Sequence, residues 1–249
     1  MKKPKPFASE VELCKAFLDV LPKGWTPYAE TAGWDILLVR AADGFQVGVQ
    51  AKLRLNSQVV SQVLEEYGHW SADRAGPDCR AVLVPSDQSG FERVAAYIGF
   101  TIIRVSPARD SGSAWDRKPS FRPGLPGEHW DRDWHEWMPA KRHRLPDYVP
   151  DVAAGASAPV QLTDWKIRAI KLMVLAERRG FVTRADFKHL GLDHRRWISA
   201  EGWLRPDGPG RYVTHGATPT GFKEQHPRVF AEIVADAETW MPPTAEVAA

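Results

Sequence analysis

Three polar residues stand out because they lie at the ends of two strongly apolar runs. In the stretch GWDILLVRAADGFQVGVQAK, residues 33–52, Asp35 opens the first run, and Gln50 and Lys52 close the second. A carboxylate and an amide oxygen are suitable ligands for a hard cation such as Mg²⁺. Beside a bound metal, a lysine can orient an attacking water and stabilise developing negative charge. These residue types therefore suit metal-assisted hydrolysis of a phosphodiester.

The spacing of these residues predicts that a β-hairpin brings them together. With the turn at AADG, a four-residue loop of a common type, cross-strand partners have residue numbers that sum to 85. Asp35 then lies opposite Gln50 on one face of the hairpin. Alternation along the strand places Lys52 on that same face and directs Ala51 away from it. The polar residues are then either a reaction site or the solvated end of an ordinary hairpin.

The segments around the hairpin predict a mixed sheet with helices packed on it. Ser9 can cap a helix over residues 10–21, and Glu10 lies on the extension of its apolar stripe. The other expected elements are a short strand, a helix, a strand, a helix ended by Gly99 and a last strand, over residues 25–30, 57–70, 80–85, 91–98 and 100–105. The order α-(β)-β-β-α-β-α-β is typical of an α/β domain.

This arrangement resembles the core motif of the PD-(D/E)XK nuclease superfamily. In that motif an acid opens one strand, and an acid or amide, any residue and a lysine follow on the next. The chain has Asp35…Gln50-Ala51-Lys52, and the resemblance extends over residues 9–105. Gln50 stands where a carboxylate is more usual, although glutamine occurs there in some relatives. A carboxamide oxygen is a weaker, neutral ligand.

The resemblance implies a role for each residue of the motif and for several others. Lys52 would be catalytic together with Asp35, Gln50 and Glu10, and the metal ligands would be Asp35, Gln50, Glu10 and the Ala51 carbonyl. Glu30 would be a further ligand or would support one, and Gln62 and Tyr67 match the glutamine and tyrosine that often follow in related nucleases. The expected cofactor is Mg²⁺, with Mn²⁺ as a substitute.

The second half of the chain divides into a connecting segment and a basic module. Residues 106–160 are rich in Pro, Gly, Ser, Trp and charge and have no sustained period, so we interpret them as a connection between domain 1–105 and domain 161–249. Its aromatic residues are expected to dock on a surface. Histidines and acids at 129–136 match no metal-binding spacing with a known mechanism, and the basic run 141–144 could contact phosphate.

The C-terminal module has the element order of a winged helix. Helices are expected over residues 163–179, 183–189 and 193–201, and a small hairpin around RPDGPG follows them. Between Lys166 and Arg205 ten basic residues face four acidic ones, an excess of +6. A winged helix usually places its third helix in the major groove of DNA. The contact candidates are Arg184, Arg195, Arg196, Arg205 and Arg211; a winged helix that binds protein is the alternative.

Composition limits the remaining choices. The 249 residues are 43% hydrophobic and 26% charged, with a net charge of only +2, which is typical of a globular protein whose basic surface is local. Two cysteines give neither a disulfide framework nor a zinc motif and favour a reducing, cytoplasmic location. No apolar run reaches membrane-spanning length, so no membrane partner is expected.

The sequence thus predicts a metal-dependent DNA endonuclease with a winged-helix-like DNA-binding domain. A homodimer is compatible with this function, because nucleases that cut both strands often act as dimers. The first alternative is a nuclease-fold DNA-binding or adaptor protein without catalysis, which Gln50 favours. The second is a protein-interaction factor that docks a partner through its Trp-rich middle segment. The DNA structure that is cut and the biological pathway are left open.

Overall fold

The computed structural model describes residues 5–64, 75–108, 117–127, 132–156, 161–198, 202–215 and 221–242. The chain forms two compact units. Unit 1 comprises residues 1–145 and 152–161, and unit 2 comprises residues 146–151 and 162–249. The sequence was divided into two domains joined by a connection over residues 106–160. In the structure most of that connection belongs to unit 1, and residues 146–151 belong to unit 2.

Unit 1 contains a six-stranded mixed sheet with the order β1-β2-β3-β4-β5-β6. β1 to β3 and the β5–β6 pair are antiparallel, whereas β3, β4 and β5 are parallel. The strands are β1 Trp25–Thr31, β2 Trp34–Arg40, β3 Gln46–Ala51, β4 Cys79–Pro85, β5 Thr101–Ser106 and β6 Ser120–Arg122; the helices are α1 Glu10–Leu18, α2 Ser57–Leu64 and α3 Glu92–Ile98. The predicted α/β class and element order are confirmed for the described ranges.

Helices cover both faces of this sheet and form two hydrophobic cores. The first core lies under α1, where Leu13 and Phe17 pack with Ile36 and Val49. The second core lies under α2 and α3 and includes the central strand residue Leu37. Because each core takes alternate residues of the strands, the hydrophobic pattern holds the strand register firmly.

Local signals in the sequence account for most helix ends. The Ser9 hydroxyl accepts a hydrogen bond from the Glu12 amide at 3.2 Å, as expected of an N-cap. Gly99 ends α3 with a φ of +91°, a left-handed conformation that glycine adopts readily. α1 ends at Leu18, three residues before the predicted end at residue 21. α2 is described as far as Leu64, and the rest of the predicted helix 57–70 lies outside the described residues.

The middle segment contributes to the sheet, which the sequence did not predict. β6 pairs with β5 through Val105 and Phe121. Trp134 is buried in the first core, and its ring N–H donates to the Gly124 carbonyl at 2.8 Å. The expectation that aromatic residues of this segment dock on a surface is confirmed for Trp134. β6 was not predicted because a strand of three residues is too short to give a periodic pattern.

Unit 2 combines helices with a three-stranded sheet of order β7-β9-β8. The described elements are α4 Asp164–Arg179, β7 Val182–Thr183, α5 Arg184–His189, a 3-10 helix His194–Arg196, β8 Leu204–Pro206, β9 Arg211–Thr214, α6 Gly221–Gln225, α7 Pro227–Ala235 and α8 Ala237–Trp240. Thr163 and Thr183 cap α4 and α5 as predicted. The predicted third helix over 193–201 is present only as the short 3-10 helix, and residues 199–201 lie outside the described ranges.

The described helices include none with both the length and the hydropathy of a membrane span.

Close packing of Trp34 on Gly48 yields a stability prediction. A Cβ atom at Gly48 would overlap the buried indole ring of Trp34, so Gly48→Ala must displace the ring or the strand. Urea denaturation should show a loss of about 1–3 kcal/mol in the free energy of unfolding. Gly124→Ala is the matched control, because no atom lies within 4 Å of its added methyl group. Equal stability of both variants would contradict the packing.

Candidate active site

The open end of the β2–β3 hairpin is held by two side chain to backbone hydrogen bonds. The predicted register is confirmed. Ile36 pairs with Val49, and the residue numbers of this pair and of the pairs nearer the turn add up to 85, as predicted. Asp35 Oδ2 accepts a hydrogen bond from the Ala51 amide at 2.7 Å. Gln50 Nε2 donates to the Gly33 carbonyl at 2.7 Å. Each of the two side chains therefore bonds to the opposite strand segment rather than to the other side chain.

An irregularity in β2 changes the face on which Asp35 lies. Strict alternation would place Trp34 and Ile36 on the same face. Trp34 instead packs over Gly48 in the second core, whereas Ile36 lies in the first core. The break lies beside Glu30, whose φ of +48° is unusual for a residue other than glycine. Asp35 falls at this break and is directed toward the α1 side.

Lys52 reaches the N-terminal end of α1. Its Nζ lies 3.1 Å from Glu10 Oε2, and the two side chains are 27% and 33% exposed. Lys52 was expected on the face opposite to Ala51, yet Ala51 belongs to the first core, which α1 covers. The expectation was wrong because β3 ends at Ala51, so alternation no longer determines the direction of Lys52. The helical glutamate and the lysine are thus brought together.

Gln50 is directed away from this group. Its neighbours Val49 and Ala51 both pack in the first core, so alternation directs Gln50 to the other face of β3. There its amide is bonded to Gly33, as described above. The predicted convergence of Gln50 with Lys52 on one face is therefore wrong. The backbone carbonyl of Ala51, in contrast, points to the Asp35 side of β3, as does its N–H.

Three carboxylates and one ammonium lie close enough to Cys14 to affect its pKa. Burial raises the pKa of the Cys14 thiol far above its ordinary value, and the charges of Asp35, Glu30 and Glu10 raise it further, whereas Lys52 opposes the increase. Cys14 is buried in the first core beneath these groups. Its thiol stays protonated at neutral pH, so it is unsuited to act as a nucleophile.

The surroundings of the Asp35 carboxyl shift its pKa in both directions, with a net increase. Burial raises the pKa of its carboxyl above the ordinary value, while the Ala51 amide and the Lys52 charge lower it and Glu10 raises it again. Lys52 thus compensates the Asp35 charge only in part. A carboxylate in this condition gains from any further positive charge placed beside it.

The carboxylate of Glu30 is bonded to the backbone of a segment that is distant in sequence. Its Oε1 accepts a hydrogen bond from the Gly155 amide at 2.7 Å. Burial and Asp35 raise the pKa of Glu30, and amides of residues 155 and 156 and the side chain of Gln161 lower it. A Cβ at Gly155 would lie 3.2 Å from the backbone of Glu10, so this segment, residues 152–156, packs directly on the start of α1. Sequence reasoning missed the segment, because nothing in VAAGA signals a carboxylate partner.

The two remaining site candidates lie on or beyond α2. Gln62 has a buried Oε1 without a hydrogen-bond partner among the described residues, and its side chain is only partly exposed. Tyr67 lies outside the described residues. The role that the family resemblance implies for Gln62 and Tyr67 therefore stays a prediction.

The donor set at the hairpin end fits a hard cation. Asp35, Glu10 and the Ala51 carbonyl supply oxygen atoms, and Mg²⁺ is commonly held by one or two carboxylates together with water. In the described part of the chain, no three His, Cys, Asp or Glu side chains form a metal-binding group by themselves.

The basic candidates of unit 2 are arranged around its small sheet. The side chains of Arg184, Arg195, Arg205 and Arg211 are exposed, whereas the side chain of Arg196 is outside the described part of the structure. Arg184 Nε donates to the Tyr212 hydroxyl at 3.1 Å, and Arg211 stacks on the Phe181 ring at 3.8 Å. These contacts orient both guanidinium groups and leave donors available for phosphate.

Comparison of the chain with family models, curated proteins and solved structures finds no match. The site itself is therefore the basis for a functional assignment.

Asp35→Asn should stabilise the folded protein at neutral pH. The pKa of Asp35 is raised in the folded state, so ionisation opposes folding, and the loss of stability grows as pH rises through the folded pKa. Asparagine can still accept from the Ala51 amide but carries no charge. Thermal melts should therefore give a higher Tm for Asp35→Asn at pH 7, and the difference should vanish below the ordinary pKa of 3.8.

The control for this measurement is Asp43→Asn, for which the opposite sign is expected. A hydrogen bond from Arg40 lowers the pKa of Asp43 to about 2, so its ionisation favours the folded state. That contribution is present above the ordinary pKa of 3.8 and is lost as pH falls through about 2. Because Asp43 is largely exposed, the decrease in Tm should be small. A lower Tm for Asp35→Asn at pH 7 would contradict the electrostatic description of the site.

Proposed function

We propose that this chain is a metal-dependent DNA endonuclease of the PD-(D/E)XK type that hydrolyses phosphodiester bonds. The observation that carries the proposal is the meeting of Asp35, Glu10 and Lys52 at the end of the β2–β3 hairpin. The element order around the hairpin, a helix before three antiparallel strands and an α-β unit after them, supports the same family.

The proposed division of roles follows from charge and position. Asp35, Glu10 and the Ala51 carbonyl would hold Mg²⁺ or Mn²⁺, which when bound neutralises phosphate charge and lowers the pKa of a water. Lys52 would hold the attacking water and stabilise the negative charge that develops on the phosphate. Its ion pair with Glu10 positions the ammonium before substrate binds. The Ala51 amide holds the Asp35 carboxylate at the end of the hairpin.

Unit 2 is proposed to place the nuclease domain on DNA as a winged-helix-like module. The chain order of α4, β7, α5, the 3-10 helix and the β8–β9 hairpin supports this, as does the sheet order β7-β9-β8. The exposed arginines lie on or beside the segments that contact DNA in winged helices, with Arg195 on the 3-10 helix and Arg205 and Arg211 on the hairpin.

One observation favours a DNA-binding protein of this fold without catalysis. Gln50 is directed away from the carboxylates and is bonded to Gly33, so it adds no ligand to Asp35 and Glu10. Fewer ligands weaken the hold on a metal ion. The two candidates differ in one measurable property, namely cleavage of DNA in the presence of a divalent cation.

Cleavage assays on plasmid and branched DNA test the proposed site. With Mg²⁺ or Mn²⁺, Lys52→Ala and Asp35→Ala should each lower the cleavage rate by about a hundredfold or more. Lys52→Ala removes a positive charge beside the transition state, and Asp35→Ala removes a ligand of the metal that would supply such charge. Glu10→Gln should also reduce the rate and should raise the metal concentration needed for half-maximal activity. Lys15→Ala is the control, since Lys15 lies on α1 like Glu10 but forms an exposed ion pair with Asp19. Equal activity of wild type, Lys52→Ala and Asp35→Ala would refute the site.

DNA binding in the presence of a chelator tests the role of unit 2. Replacing Arg184, Arg205 and Arg211 by alanine should weaken binding of a fluorescent duplex. The slope of log K against log salt should also become shallower by roughly 0.9 for each phosphate that the variant no longer neutralises. Lys223→Ala is the control, because Lys223 is an exposed cation of unit 2 that lies on α6, outside the β8–β9 hairpin and the 3-10 helix. An unchanged slope in the triple variant would favour a winged helix that contacts protein instead.

A further inference from the structure

A small cavity lies beside the candidate active site within unit 1. Its volume is about 170 Å³, and its lining includes Lys5, Arg54 and Asp87 together with the apolar side chains of Phe7, Leu53 and Pro85. Phe7 and Leu53 also pack in or against the first core, so the apolar wall is anchored to the body of the domain.

The cavity lies at the edge of the sheet where the candidate active site is found. Leu53 and Arg54 follow Lys52 directly, and Lys52 donates its amide hydrogen to the Leu83 carbonyl of β4 at 2.9 Å. Because β3 and β4 are parallel, the residues that follow them lie at one edge. Arg54 follows Lys52 by two residues, in a segment that bends at Leu53 and Arg54.

The cavity has a net positive charge. Within the described residues, neither Lys5 nor Arg54 makes an ion pair or a hydrogen bond through its side chain, and both are exposed. The acidic residue Asp87 accepts a hydrogen bond from Gln88 Nε2 at 3.2 Å. Two cations thus face one carboxylate that already has a donor.

The wall that carries Asp87 is held in place by Gln88. The Gln88 carbonyl accepts a hydrogen bond from Arg104 Nε at 3.0 Å, and its side chain oxygen accepts from the Leu55 amide at 3.4 Å. These bonds join the segment after β4 to β5 and to the segment after β3. The cavity is therefore formed before a ligand arrives, which lowers the entropic cost of binding.

We propose that this cavity binds a backbone phosphate of the DNA strand next to the phosphate that is cleaved. The proposal rests on the endonuclease function and names a contact residue for its substrate. The Arg54 guanidinium can bind phosphate oxygens in a bidentate manner, and Lys5 adds a second charge. Because Arg54 follows Lys52 so closely in the chain, the phosphate it binds would neighbour the one at which Lys52 acts.

Steady-state cleavage kinetics provide the first test. Arg54→Gln and Lys5→Gln should each raise KM by about threefold to tenfold and leave kcat nearly unchanged, because the phosphate is bound equally in the ground and transition states. Arg54→Lys should recover part of the loss. Lys23→Gln is the control, since Lys23 is exposed beside the turn at the opposite end of the hairpin. Unchanged KM in Arg54→Gln and Lys5→Gln would overturn the proposal.

Chemical protection provides a test that does not depend on cleavage. The full chain is treated in a chelator with an arginine reagent and a lysine reagent, with and without a duplex of roughly 16 base pairs, long enough to cover more than one helical turn. The modified residues are identified by mass spectrometry. DNA should protect Arg54 and Lys5 severalfold, but not Lys23 or Arg122 on β6. Protection by inorganic phosphate but not by DNA would indicate a simple anion site and would overturn the strand contact.

The two tests separate the failure of this inference from the failure of the proposed function. Protection of Arg54 and Lys5 without any cleavage would retain the phosphate contact and refute the nuclease. Cleavage that requires Asp35 and Lys52, with neither protection nor a change in KM, would retain the nuclease and refute the cavity as a phosphate site.

Discussion

Crowding of three carboxylates at one end of a hairpin is the constraint on which this region of unit 1 depends. Asp35, Glu30 and Glu10 all raise the pKa of the buried Cys14 thiol, so the three carboxylates lie near the same residue. Each carboxylate is balanced by a different donor. Asp35 has the Ala51 amide, Glu10 has Lys52, and Glu30 has the amide of Gly155.

Each carboxylate has its own donor, but the charge of Asp35 is only partly compensated. The lysine neutralises Glu10 directly and Asp35 only at a distance, and burial keeps the pKa of Asp35 raised. A bound cation would supply the missing charge at the point where the protein supplies least. Active sites commonly retain such unfavourable charge arrangements, because the ligand or substrate relieves them.

The sequence predicted the hairpin and its register because both depend on local information. The turn length and the alternation of apolar residues determine which residues pair, and capping residues such as Ser9, Thr163 and Thr183 mark the helix starts. The faces of Asp35 and Lys52 could not be predicted in this way. The face of Asp35 depends on a positive φ at a glutamate and on the packing of Trp34 over Gly48, and the direction of Lys52 depends on the end of β3 at Ala51. None of these leaves a periodic pattern.

Segments distant in sequence were the other source of error. β6 and the segment at residues 152–156 lie in a stretch that looks like a linker, and both owe their structure to contacts with residues far earlier in the chain. A carboxylate that binds an amide 125 positions away has no local signature. The basic character of unit 2 could be predicted from composition, whereas the 3-10 geometry of residues 194–196 could not.

The amide of Gln50 has a structural role at the end of the hairpin. Its amide nitrogen donates to the Gly33 carbonyl, an interaction that a carboxylate cannot make, because an ionised acid has only acceptors. A glutamate at this position would face a carbonyl oxygen and would add a fourth negative charge near Asp35. In this chain the neutral amide closes the hairpin, and the carboxylate that pairs with the lysine is supplied from α1 by Glu10. With a neutral amide at position 50, Lys52 and the Ala51 amide have only the charges of Glu10 and Asp35 to balance.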